Sequence, residues 1–191
     1  SSIDNITNDA TINVGSMDTD STWEYSTDGG TTWSTGTGSS FELADNTSYT
    51  ANDIQIKVTD VNGKEAISTI ADAVTVDTTI DSLAIDDVTY TADSTPVFTG
   101  TVSDVNLDRL EVTIDGHTYE ANIHTDGTWS VEASDTISDG NYEVTVTGYD
   151  KAGNTASATD SSVSIDTTAI DIARDAQVEA NQAQSDTSSA Q

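Results

Sequence analysis

The tripeptide Asp-Thr-Thr occurs at Asp77–Thr79 and again at Asp166–Thr168, 89 residues apart. Each copy directly follows an alternating stretch, Ala73-Val74-Thr75-Val76 in one case and Ser162-Val163-Ser164-Ile165 in the other. A fixed period of this size marks a slice of a tandem array of small domains. The joints divide the chain into a first repeat at residues 1–77, a second at 78–168 and a tail at 169–191. Repeats of this length bury only modest cores, so some additional staple is expected. Without cysteine it cannot be a disulfide, and a metal ion is the next candidate.

The kind of acidity matters here. The chain has 26 Asp against 8 Glu and a formal net charge of −29. That charge repels nucleic acid and anionic membrane surfaces, so neither is expected as a partner. No apolar run approaches the length of a membrane span and no signal peptide is read, so no membrane insertion is expected. Aspartate belongs in turns, where its short side chain bonds nearby backbone, and it ligates hard cations without a long stem. Abundant Thr and Val favour strands between those turns.

The second repeat parses as strands and turns. Leu83–Val88 opens it, and Thr95–Val102 follows, with Pro96, the single proline of the chain, where no ladder donor is needed. Arg109–Ile114 alternates, and Asp115-Gly116 makes a hairpin into a strand over His117–Ile123. Asp126-Gly127 turns into Trp129 and Val131, Asp139-Gly140 starts the strand carrying Tyr142, Val144 and Val146, and a loop over Asp150–Asn154 precedes the final strand. Seven short strands at this spacing predict an immunoglobulin-like β-sandwich. The first repeat is shorter: Ile12 and Val14, Trp23 and Tyr25, Phe41 and Leu43, then Ile54, Ile56 and Val58 after a loop through Tyr49. The fold class is therefore all-β, two tandem sandwiches in an elongated arrangement. The tail turns to Gln, Ala, Asn and Ser, with alanines at helical spacing, and reads as a frayed helix or a disordered segment.

Several motifs carry a family resemblance. Trp23-Glu24-Tyr25-Ser26-Thr27-Asp28-Gly29-Gly30-Thr31-Thr32-Trp33 resembles a motif of Ig-like repeats in giant bacterial RTX and biofilm-associated surface adhesins. Asp126-Gly127-Thr128-Trp129-Ser130, Asp139-Gly140-Asn141-Tyr142, Asp150-Lys151-Ala152-Gly153-Asn154 and the Asp-Thr-Thr joints are similar to a second repeat type of the same proteins. The resemblance covers Ser1–Thr168, and Asn62-Gly63-Lys64 departs from the usual Ala-Gly-Asn. It implies a secreted protein held at the bacterial cell surface after type I secretion. Its repeats would be extenders that often bind calcium, and other domains would take a host, surface or biofilm ligand.

Strand direction sends alternate loops to opposite ends of a sandwich. The loops holding Asp104, Asp126 and Asp150 fall at the upstream end of the second repeat, beside Asp77 in the linker. Bare carboxylates so gathered would repel one another. Calcium accepts six to eight oxygens in loose geometry and suits a site assembled from separate loops. The predicted ligands are Asp77, Asp104 and Asp150, with Asp126 beside them; Asp18, Asp20 and Asp60 share the corresponding end of the first repeat. Asp166 would need a following domain to complete its set. Asp139 reads as a turn residue and Tyr142 as a tyrosine corner.

The expected function is mechanical: a monomeric extender, stiffened by calcium at the joint, whose immediate partners are neighbouring Ig-like repeats. No enzyme is expected. His117 and His124 have no nucleophile turn near them, and zinc is disfavoured without cysteine. The alternative is a ligand-binding module, in which Trp23, Trp33 and Trp129 form an aromatic platform for a sugar. Tryptophan in a small sandwich more commonly fills the core.

Overall fold

The computed structural model describes residues 5–168, together with 177–179 and 182. The chain forms two compact units, residues 1–80 with 150–154, and residues 81–149 with 155–191. Of the expected tail, Gln177–Glu179 and Gln182 are helical; the rest of 169–191 lies outside the described residues.

In the first unit the strands are β1 (Ile6–Thr7), β2 (Thr11–Asn13), β3 (Thr22–Ser26), β4 (Ser34–Thr35), β5 (Ser40–Glu42), β6 (Thr47–Tyr49), β7 (Gln55–Thr59), β8 (Glu65–Thr69) and β9 (Val74–Val76). They form sheets in the orders β1-β9-β6, β2-β5 and β4-β3-β7-β8. The region around Tyr49, expected as a loop, is strand β6, because Thr47–Tyr49 pairs antiparallel with β9. The core holds Trp23, Phe41, Leu43, Ile54 and Val76, with Tyr25 stacked on Phe41 at 4.1 Å between ring centroids.

The second unit comprises β10 (Leu83–Ile85), β11 (Val97–Val102), β12 (Leu107–Ile114), β13 (His117–Glu120), β14 (Asn122–Ile123), β15 (Thr128–Glu132), β16 (Gly140–Asp150) and β17 (Thr155–Ile165). Two four-stranded sheets, β10-β11-β15-β14 and β13-β12-β16-β17, complete an Ig-like β-sandwich. Leu110, Val112, Ile114, Val144 and Val146 are completely buried between them, as period-two alternation requires. Asp115 and Gly116 both have positive φ, 49° and 77°, the geometry of the Asp-Gly hairpin. Gly100 has another reason to be glycine: a Cβ there would overlap the Ala84 carbonyl and come within 2.6 Å of the Trp129 ring.

One expected strand is two. His117–Ile123 pairs with β12 only as far as Ala121, whose N–H donates to the Leu110 carbonyl at 2.9 Å. Asn122 and Ile123 then pair with Ser130 and Trp129 in the opposite sheet. The strand changes sheets at Ala121, so Ala121 is buried while Ile123 points to solvent, and the inferred alternation fails there.

The two units repeat each other in detail at both ends. Asp9 accepts from the Thr11 N–H at 2.9 Å, and Asp93 from that of Thr95 at 2.9 Å. The Asp77 N–H donates to the Thr7 carbonyl at 2.9 Å, as that of Asp166 does to Thr91 at 3.0 Å. Strand β7 meets β8 in the register Ile56↔Ser68 and Val58↔Ala66, which β16 and β17 reproduce as Val146↔Ala158 and Gly148↔Ala156.

Candidate metal centre and the aspartate turns

The loop between β16 and β17 wraps around one carboxylate. Asp150 Oδ1 accepts from the N–H groups of Gly153 and Asn154, each at 2.7 Å. Gly153 makes the tight return possible with φ 96°. The Asn154 Nδ2 amide donates at 2.7 Å to Asp150 Oδ2 and at 2.7 Å to the backbone carbonyl of Asp77. Asp77 is completely buried and Asp150 is 7% exposed. Taking a carboxylate out of water costs several kcal/mol unless charge or hydrogen bonds compensate it.

Among the described residues, one group of three acidic side chains could hold a metal ion: Asp77, Asp104 and Asp150. The Asp104 loop is fixed by the Asn106 N–H, which donates to its Oδ1 at 2.9 Å, and Asp104 is half-buried. The donor set is entirely carboxylate, without histidine or sulfur, so it suits a hard cation such as calcium better than zinc.

The remaining predicted ligands are placed differently. Asp126 is exposed and accepts from the Thr128 hydroxyl at 2.7 Å and N–H at 3.0 Å, which hold it below the ordinary carboxylate range. It shares a wide cavity with Asp104 and His124 but is outside the three-aspartate group. Asp60 accepts from the Lys64 and Asn62 N–H groups at 2.8 Å each, which lower its pKa. Its loop shares with that of Asp150 the bond from the fourth residue's N–H and the return bond to that residue's carbonyl, but Lys64 has no amide to take the place of the Asn154 side chain. Asp18 lines the same groove as Asp60 and Lys64, whereas Asp20 stands exposed with φ 68°. Asp166 accepts from the Thr168 hydroxyl and N–H at 2.6 and 3.1 Å.

Two turn aspartates hold distant backbone in a way the sequence does not reveal. Asp139 is more than a turn residue: its Oδ1 accepts from the Thr167 N–H at 3.0 Å and hydroxyl at 2.8 Å. In the first unit Asp45 does the same, accepting from the Thr78 N–H at 2.7 Å. Each Asp-Thr-Thr is thus latched by an aspartate that precedes a tyrosine by three or four positions. The tyrosines close the same corner. Tyr142 donates to the Ser138 carbonyl at 2.8 Å, and the Ala44 N–H donates to the Tyr49 hydroxyl at 3.0 Å. Both aspartates stand shortly before a tyrosine, in Asp45-Asn46-Thr47-Ser48-Tyr49 and Asp139-Gly140-Asn141-Tyr142, but nothing in either segment names the distant amide.

The aromatic residues do not make a platform. Trp23 and Trp129 are buried, and the half-exposed Trp33 ring is covered by the Lys57 ammonium at 4.6 Å from its centroid. His117 pairs with Asp135 at 3.3 Å and His124 with the Ser130 hydroxyl at 3.2 Å, both on exposed surface.

A family model described as a bacterial Ig-like domain matches residues 80–167. No curated protein matches the chain. Among solved structures, it is similar to fibronectin(III)-like modules of Clostridium thermocellum CbhA, at 16% identity over 84% of this chain and 87% of the other, with a TM-score of 0.34. It is also similar to a tetra-tandem repeat from the extending region of a large adhesion protein, at 22% identity over 77% of this chain and 42% of the other, with a TM-score of 0.41. A third is a Ca2+-stabilized adhesin with which an Antarctic bacterium binds ice, at 22% identity over 86% of this chain and 46% of the other, with a TM-score of 0.33. The chain spans less than half the length of either adhesin structure. Among the described residues no helix is long and apolar enough to cross a membrane.

Proposed function

Taking residues 80–167 as a bacterial Ig-like domain, we propose that the chain is an extender segment of a bacterial cell-surface adhesin. It holds a distal ligand-binding region away from the cell, and calcium at the joint between repeats stiffens it. The observation that carries this reading is the burial of Asp77 and Asp150 around one bridging Asn154 amide. Asp77, Asp104 and Asp150 would hold the ion, which would supply the positive charge that buried carboxylates call for. Asp126 and Asp166 would keep their threonine contacts instead. An Ig-like sandwich suits this role, because a stack of small rigid modules transmits load without needing a catalytic cleft. Secretion to the cell surface and a monomeric state belong to the same reading.

A calcium ion bound only by the folded chain adds about 2.7 kcal/mol at a hundredfold excess over its dissociation constant. Calcium should therefore raise the unfolding midpoint, and chelator should lower it. Small-angle scattering should show a longer maximum dimension with calcium than with chelator, and Asp104→Ala should abolish both responses. Identical scattering profiles and midpoints in the two conditions would sink the reading. So would an unchanged calcium response in Asp104→Ala.

A further inference from the structure

Each unit ties the segment near its start to the strand that leaves it, and the two run side by side in the same direction. In the second unit the chain comes in past Ser82, whose carbonyl accepts from the Ser103 N–H at 2.9 Å, and continues through β10. The Val88 N–H then donates to Asp160 Oδ2 of β17 at 2.8 Å. Further on, the Thr91 N–H donates to the Ser164 carbonyl at 2.9 Å, and the Asp166 N–H returns to the Thr91 carbonyl at 3.0 Å. The bridge between Thr91 and Ile165 is parallel, and the Tyr90 hydroxyl adds a bond to the Asp166 carbonyl at 3.2 Å. In the first unit β1 is likewise parallel to β9: the Thr75 N–H donates to the Asn5 carbonyl at 2.8 Å and that of Asp77 to Thr7 at 2.9 Å.

Tension along the chain draws the first segment backwards and the leaving strand forwards, so the two are pulled past each other. The ties between them lie across that direction and are strained together. A hairpin opened from its free end instead loses its bonds one at a time, each at a small force. The exit has a further hold. Just past Asp166 the Thr167 N–H and hydroxyl donate to Asp139 Oδ1 at 3.0 and 2.8 Å, and Asp139 stands immediately before β16, the neighbour of β17. Tyr142 braces that corner through the Ser138 carbonyl. A pull on the leaving chain therefore meets the Asp139 carboxylate before it reaches the Thr91 ties. In the first unit Asp45 holds the Thr78 N–H in the same manner at 2.7 Å.

We infer that these bonds form a shear clamp, a lock that resists tension applied along the chain and plays no part against force applied across the sheets. In the second unit its parts are the Thr91 backbone, Tyr90, Asp160 and the latch between Asp139 and Thr167. The clamp gives the Asp-Thr-Thr at Asp166 a role of its own, although Asp166 stands outside the three-aspartate group. It rests on the extender reading for the tension itself, since a stalk that holds a ligand away from the cell is pulled lengthwise. Bonds that break on the way to the barrier set the rate of forced unfolding, and bonds still intact at the barrier do not. The latch therefore matters in one pulling direction and not in the other. A general contribution to stability has no such direction.

Single-molecule pulling of the full chain at constant force tests the inference. The chain has no cysteine, so introduced pairs place the handles. Ser1→Cys with Gln191→Cys pulls end to end; Glu120→Cys with Glu143→Cys, on β13 and β16, pulls the second unit across its sheet. Asp139→Ala should speed end-to-end unfolding of the second unit by about tenfold, as loss of hydrogen bonds to a charged group predicts, and leave the crosswise rate unchanged. Tyr90→Phe, which loses only the hydroxyl bond to the Asp166 carbonyl, should act in the same direction by about threefold. Val112→Ala, a truncation in the core, should speed both pulls. An Asp139→Ala effect of equal size in the two directions, or in neither, overturns the clamp. All pulls are made at one calcium concentration. Direction dependence in a chain that ignores chelator upholds the clamp while the calcium reading falls, and a calcium response without direction dependence overturns the clamp alone.

Discussion

The two units share their ends and differ in how completely they close. Both begin with a threonine–aspartate turn, both cap their last strand with a latched Asp-Thr-Thr, and both wrap one aspartate in the loop before the final strand pair. Between those points they diverge. The second unit has two full four-stranded sheets and a long set of side chains with no exposure at all. Among its described residues the first spreads nine short strands over three sheets, and every residue of β7 stays partly exposed. The contrast shows that the recurring hydrogen-bonded turns fix the frame of the repeat, while the described side chains of the second unit are packed more closely between them. Asp160 illustrates this. In the second unit it accepts from the Val88 N–H at 2.8 Å, just after β10, whereas the first unit has the half-buried Ile70 in the corresponding register.

Core truncation should expose the difference most strongly. Leu110→Ala removes a completely buried side chain and should destabilise the second unit by about 2–5 kcal/mol. Ile56→Ala removes one that is already half in water and should cost the first unit less, roughly 1–2 kcal/mol. Calorimetry of the full chain should show the lower-melting transition moving less than the higher one. Equal shifts would mean that the first core is as closed as the second, and the comparison would collapse.

A smaller effect is expected from the latches. Asp45→Ala and Asp139→Ala each remove a carboxylate that holds an Asp-Thr-Thr backbone, and each should lower the midpoint of its own unit alone. Exchange of the Thr78 or Thr167 amide should accelerate correspondingly. If Asp139→Ala leaves the Thr167 amide unchanged, the latch is not maintained in solution and the likeness of the joints is only one of sequence.

Strand alternation made the second unit legible. Period-two patterns at Arg109–Ile114 and Tyr142–Val146 are strong because both sheets bury one face fully. Loop polarity in a sandwich follows from strand count, and that is why the sequence points to Asp104 and Asp150 as candidates. The sheet switch at Ala121 was hidden, since a change of sheet preserves the local composition and alters only which partner the backbone meets. The roles of Asp45 and Asp139 were hidden too. Each bonds a residue about 30 positions away, and one sequence gives no sign of which turn aspartate will reach a distant amide. Asp126 was drawn into the metal set by position alone, and its own threonine explains it better.

Acid should separate the units in a graded way. Asp28 is held at a pKa of about 2, below its ordinary 3.8, by the Thr32 hydroxyl and N–H and by the Ser26 hydroxyl. Because the folded value is the lower one, this carboxylate stabilises the first unit fully above about pH 4, and the contribution fades as pH falls towards 2. Asp9, Asp45 and Asp60 are lowered in the same unit, by the N–H groups of Thr11, Thr78 and Lys64. In the second unit, burial pushes Asp160 up, yet its bonds from Ser162 and Val88 outweigh this and leave it lowered, while Thr128 lowers Asp126. Arg109 likewise lowers Glu111, so the lowered carboxylates are four in the first unit against three in the second, with the largest drop at Asp28. Tryptophan fluorescence and amide exchange between about pH 4 and 2 should therefore report loss of the first unit before the second. Asp28→Asn should flatten that pH dependence in the first unit without moving the second. The reverse order of unfolding would place the weaker core in the second unit, against the burial of its side chains.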